Sequence, residues 1–153
     1  MAKRTIRALL VDDDQGDFLM TRSLVEQIEH PTIELAWVAT FEEGREALKR
    51  DDYDIFLVDY FLEDRTGLDL LREAGRRQLQ APVIMLTGRG SHDVDLDAMR
   101  AGAADYLVKG RIDPEDLERS IRYVLDRVEA LRALRESEER HRGMFDNLPI
   151  GVY

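Results

Sequence analysis

Cysteine is absent from the 153 residues, so neither a disulfide framework nor a thiolate metal site can form. No apolar stretch approaches the roughly 20 residues that cross a bilayer, and MAKRTIRALLVDDD reaches its acids before any signal-peptide core. The expectation is a bacterial-type cytoplasmic protein without a membrane partner. Clustered positive charge is also missing: 22 Lys and Arg face 32 Asp and Glu, for a net charge of −10. Arg76-Arg77 and the arginines after residue 119 alternate with acids at helical spacing, which describes a solvated face. A non-specific nucleic-acid surface, which needs basic clusters to neutralise phosphates, is therefore not expected. The three histidines, His30, His92 and His141, stand alone in turn-like or polar surroundings and do not form a ligand set.

The composition, 44% hydrophobic and 35% charged, fits one soluble domain and a little more. Its clearest order lies in short apolar runs that end in chemically useful residues. Ala8–Val11 runs into Asp12-Asp13, Ile55–Val58 into Asp59, Val83–Leu86 into Thr87 and Tyr106–Val108 into Lys109; a fifth run, Ile33–Val38, has no such ending. Between them, helical periodicity places Phe18, Leu19, Leu24, Val25 and Ile28 on a first helix closed by His30-Pro31. Thr40 with Glu43 has capping-box spacing for a second helix. Leu68, Leu70, Leu71 and Ala74 mark a third, Val94, Leu96, Ala98 and Met99 a fourth ending at Ala101-Gly102, and Asp113-Pro114 opens a long fifth. Alternating strand and helix predicts an α/β fold, a parallel sheet covered on both faces. The C-terminal ends of parallel strands share one edge, where such folds place ligands, so three carboxylates, a hydroxyl and an ammonium converge there.

Unit charges about 4 Å apart repel by ~4 kcal/mol at an effective dielectric near 20, so Asp12, Asp13 and Asp59 require a positive partner. Carboxylates without His or Cys suit Mg²⁺ or Mn²⁺, and Lys109 supplies a fixed second charge. A carboxylate beside a divalent ion, a hydroxyl and a lysine is equipped for phosphoryl transfer, with the carboxylate as nucleophile.

At these residues the chain resembles a response-regulator receiver domain of bacterial two-component signalling. The matching pieces are LLVDDD at 9–14, DIFLVDYFLEDRTGLDLL at 54–71 with the family's glycine at Gly67, APVIMLTG at 81–88 and AGAADYLVKG at 101–110, and the resemblance covers residues 5–128. It implies a doubly wound, flavodoxin-like five-stranded sheet of order 2-1-3-4-5 with a long C-terminal helix. It further implies that Asp59 accepts the phosphoryl group from a histidine kinase or phosphotransfer protein. Asp12 and Asp13 position Mg²⁺, with Asp13 the direct ligand, joined by Asp59 and the carbonyl of Phe61. Lys109 contacts the phosphoryl group, Thr87 hydrogen-bonds it, and Tyr106 is the aromatic switch. The output face is then the fourth helix, fifth strand and fifth helix.

Some positions depart from the family pattern. Gly110 replaces the usual proline after the lysine, which excludes a cis Lys-Pro bond and leaves that loop freer. Leu62-Glu63 stands where Met-Pro is common. Gly88 is small, as access requires, while Phe61 and Arg89 occupy positions that flank the path of the attacking water. A related phosphatase, the enzyme alternative, generally carries a second aspartate two residues after its nucleophile, where this chain has Phe61. The other alternative is a pseudo-receiver that acts only by association.

Leu117, Ile121, Val124, Val128 and Leu131 step by 4, 3, 4 and 3, a heptad stripe suggesting a weak homodimer through the last helix. Residues 129–143 read as a helical linker. LRESEERHRGMFDNLPIGVY resembles the helix and first strand that introduce PAS sensor domains, so 144–153 is expected to begin a second, truncated domain with an output beyond it.

Overall fold

The computed structural model describes residues 5–50, 52–63, 65–88 and 92–146. The elements run β1 (Thr5–Val11), α1 (Gln15–Glu26), β2 (Thr32–Val38), α2 (Phe41–Leu48), β3 (Ile55–Asp59), β4 (Phe61–Leu62), β5 (Arg65–Thr66), α3 (Gly67–Arg76), β6 (Val83–Thr87), α4 (His92–Arg100), β7 (Asp105–Val108) and α5 (Pro114–Asp146). Five strands form a parallel sheet in the order β2-β1-β3-β6-β7. Among the described residues the two-residue strands β4 and β5 pair with each other and not with the main sheet, so this is the expected 2-1-3-4-5 order with an extra antiparallel ribbon in the chain after β3.

Period-two alternation along the strands divides the core into two layers. Leu9, Val11, Phe56, Val58 and Met85 face α2, α3 and α4 through Ala47, Leu48, Leu70, Leu71, Ala74 and Ala98. Ile6, Ala8, Leu10, Ile55, Leu57, Ile84 and Leu86 face α1 and α5 through Val25, Leu117, Ile121, Val124 and Leu125. All five residues of β3 and of β6 are buried, as continuous apolar strands covered on both sides must be.

Local caps set where helices begin. The Asp14 carboxylate accepts from the backbone N–H groups of Gly16 and Asp17 at 2.7 and 3.2 Å; Thr40 Oγ1 accepts from Glu43 N–H; and Asp113 and Asp116 bond each other's backbone N–H reciprocally at the start of α5. Gly67 closes the ribbon back onto β3, donating its N–H to the Tyr60 carbonyl at 2.6 Å. A Cβ there would lie 2.3 Å from the Asp59 carbonyl oxygen and 2.9 Å from Val58 Cγ1, so only glycine fits.

The 33-residue α5 is about 50 Å long at 1.5 Å per residue. Its heptad stripe divides by environment. Leu117, Ile121 and Val124 belong to the domain's own core, Val128 is half-buried, and Leu131 is 52% exposed; Leu134, which lies off the stripe, is 56% exposed. The strand expected after Asn147 lies outside the described residues.

Candidate phosphoryl-transfer site

Because β1, β3, β6 and β7 end on one edge in adjacent or near-adjacent positions, Asp12, Asp59, Thr87 and Lys109 are drawn together from positions up to 97 residues apart. The register Val11↔Val58, Asp59↔Leu86 and Thr87↔Val108 aligns their ends. The edge lies where the connections diverge, β1 leading outward to β2 and β3 leading the other way to β6, the switch point at which open α/β sheets bind ligands.

The centre is the Lys109 ammonium. Its Nζ lies 2.6 Å from Asp12 Oδ2, 2.7 Å from Asp17 Oδ2 and 3.3 Å from Asp59 Oδ1. Asp12 and Thr87 are fully buried, and Asp59 and Lys109 are 7% and 9% exposed. Asp12 is held from three sides: Oδ1 accepts from Asp14 N–H at 3.0 Å, Oδ2 binds Lys109, and its carbonyl accepts from the Trp37 indole N–H at 2.7 Å. Trp37 in turn stacks on Phe18 with centroids 4.4 Å apart. The Lys109 backbone N–H donates to the Thr87 carbonyl at 2.6 Å, tying the lysine to β6.

Burial disfavours the charged carboxylates here. It pushes Asp59 up from 3.8 to about 7, with Asp12 and Asp13 adding to the rise and Lys109 opposing it. Asp12 is raised for the same leading reason, against its bonds to Lys109 and Asp14. For Lys109, burial acts to lower the pKa, but the hydrogen bonds to Asp12 and Asp17 and the charge of Asp59 override it and hold the ammonium above its ordinary value. The site is thus a fixed cation among acids, one of which carries its charge reluctantly.

Among the described residues, Asp12, Asp17 and Asp59 each offer a carboxylate oxygen within 4.8 Å of the others, a hard-oxygen set suited to Mg²⁺ or Mn²⁺. Asp13 lies outside this cluster, its Oδ2 accepting from Glu63 N–H at 2.9 Å on the ribbon after β3. Asp17 is the member that residue patterns did not single out. Its signal was its place five residues after Asp12, in the first turn of the helix that follows the strand end. Trp37, also missed, approaches only because β2 pairs with β1.

Phe61 is 60% exposed and meets Tyr60 edge-on at 4.7 Å. Among the described residues, nothing lies within 4 Å of a Cβ placed on Gly88, beside Thr87. Arg89 lies outside the described residues. Gly110 has φ +81°, a conformation closed to proline. Tyr106 is half-buried, packed against the core layer under α2, α3 and α4, and borders a groove of about 420 Å³ shared with Arg111, Ile112, Arg119 and Tyr123. Asp105 bonds Tyr106 N–H and Ser120 Oγ, joining β7 to α5 beside that groove.

A five-stranded doubly wound sheet with an acid–lysine pocket at its C-terminal edge defines a flavodoxin-like domain. A sequence profile of the response regulator receiver domain family matches residues 8–122. The chain belongs to that family. It is 37% identical over 114 residues to the response regulator protein PilR of Pseudomonas aeruginosa, covering 74% of this chain and 24% of that protein. It is 38% identical over 121 residues to the transcriptional regulatory protein CpxR of Klebsiella pneumoniae, covering 79% and 50%. The chain thus spans half or less of the length of these relatives. Among solved structures, a CheY-like receiver domain protein from Methanospirillum hungatei superposes with a TM-score of 0.71 at 30% identity, covering 83% of this chain and 98% of that one.

Proposed function

We propose that this domain accepts a phosphoryl group on Asp59 from a histidine kinase or phosphotransfer protein and passes the change to its β7–α5 face. The observation that carries the reading is the Lys109 ammonium held among Asp12, Asp17 and Asp59, with the buried Thr87 at the end of the strand paired to β3. An Asp59 oxygen forms the new O–P bond as the P–N bond of a phosphohistidine breaks, and the electron pair leaves with the imidazole nitrogen, which takes up a proton. Lys109, permanently charged, receives the negative charge on the phosphoryl oxygens, and Thr87 donates its hydroxyl to one of them.

The carboxylate-rich donor set fits Mg²⁺ or Mn²⁺, which Asp12, Asp13 and Asp59 with the Phe61 carbonyl would hold. When bound, the cation supplies charge neutralisation for the incoming phosphoryl group. Asp13 would exchange its bond to Glu63 N–H for this role.

Tyr106 acts as the switch between the pocket and the groove it borders. The helix beyond residue 128 links the receiver, residues 5–128, through 129–143 to a PAS-like module that begins at 144, and pairs weakly with a second copy through Val128 and the exposed Leu131. Incubation with acetyl phosphate and Mg²⁺, followed by intact-mass measurement, should add one phosphoryl group. Asp59→Asn and wild type in EDTA should remain unlabelled. Equal labelling of the Asn variant, or of wild type in EDTA, refutes the assignment.

A further inference from the structure

Lys109 has three N–H donors, and in the resting protein two of them make short bonds, to Asp12 at 2.6 Å and Asp17 at 2.7 Å. Asp59 is the most distant of its three acids, at 3.3 Å. An anionic group built on Asp59 draws the ammonium towards it through the third donor, and that movement weakens one of the two short bonds. The two candidates differ sharply in what release would leave behind. Asp12 is fully buried and fixed through Oδ1 by the Asp14 N–H at 3.0 Å, so its carboxylate has no route to turn away from Lys109 into water. The Asp17 side chain is 36% exposed and sits in the first turn of α1, where water and the helix N-terminus receive a free carboxylate at little cost.

We propose that Asp17 is the resting-state counter-ion of Lys109: it holds the ammonium while Asp59 is unmodified and yields it when the phosphoryl group arrives. Asp17 is therefore a positioning residue that sets how tightly the site holds a phosphoryl group. This rests on the reading of Asp59 as the acceptor. Because Asp17 competes for the same ammonium, removing its charge should strengthen binding at Asp59. If Asp17 served mainly as a cation ligand, its removal would weaken both cation and phosphoryl binding.

The test is the affinity of the whole chain for beryllofluoride, a phosphoryl mimic, at saturating Mg²⁺, with Mg²⁺ affinity measured separately by calorimetry. Asp17→Asn should bind beryllofluoride about three- to tenfold more tightly, the range expected for one partly exposed charge contact. Asp17→Glu, which keeps the charge, should return towards wild type. Asp14→Asn removes a neighbouring charge that does not touch Lys109 and retains a capping side chain; it should change affinity less than twofold, which separates the specific contact from a general field. Circular dichroism verifies that each variant is folded, and α1 keeps its Asp14 cap in the Asp17 variants. An Asp17→Asn affinity equal to or weaker than wild type, a tenfold loss of Mg²⁺ affinity, or an equal gain in Asp14→Asn overturns the inference. If wild type itself does not bind beryllofluoride, the acceptor reading of Asp59 fails, and the inference with it.

Discussion

Neutralising Asp59 should stabilise the metal-free protein, and the gain should depend on pH. The Asp59 carboxyl is raised from 3.8 to about 7, first by burial and then by Asp12 and Asp13. Below about pH 3.8 it is protonated in both the folded and unfolded chain and costs nothing. As pH rises from there to about 7, the unfolded chain releases its proton while the fold retains it, so wild-type stability falls. Above 7 the loss is complete. At about 1.4 kcal/mol per pH unit the displacement sets a ceiling of about 4 kcal/mol. Water at the pocket mouth screens part of this, leaving about 1–2 kcal/mol, or a rise of about 3–6 °C in the thermal midpoint for a chain of this size. Asp59→Asn keeps the shape and removes the charge, and Lys109 retains Asp12 and Asp17. Thermal unfolding in EDTA should therefore show the variant more stable than wild type at pH 8, with the gain reduced by about half at pH 5.5. A variant less stable than wild type at pH 8, or a gain independent of pH, would refute the reasoning that burial of Asp59 outweighs its attraction to Lys109.

Gly67→Ala forces a methyl group against the Asp59 carbonyl and Val58, and urea unfolding should record a loss of about 3 kcal/mol; an unchanged midpoint would show that the ribbon moves aside freely. Phe61, exposed beside the site, should slow water attack on the modified Asp59 together with Arg89. Replacing both by Ser should speed loss of label while leaving Mg²⁺ affinity nearly unchanged, and equal or slower hydrolysis would sink that role. Sedimentation of wild type and a Val128→Glu, Leu131→Glu variant, with and without beryllofluoride, should reveal weak self-association only in wild type and more of it with beryllofluoride; identical mass distributions in all four samples would exclude a dimer seam on α5.

The sequence alone determined the strand ends and what stands on them. Apolar runs closing in Asp12, Asp59, Thr87 and Lys109 are local patterns, and parallel pairing sends all four to one edge whatever the details of packing. It also determined the helix starts at Thr40 and Asp113, because a cap acts on N–H groups two or three residues away. Tertiary structure decided which acids meet the lysine. Asp13 and Asp17 look alike on paper, yet the first meets Glu63 on the ribbon after β3 and the second meets Lys109, 92 residues away, because α1 begins directly above the β1 terminus. It decided as well that Leu117, Ile121 and Val124 are core residues while Leu131 is exposed. A helical stripe states only which residues share a face, and what covers that face depends on where the sheet ends.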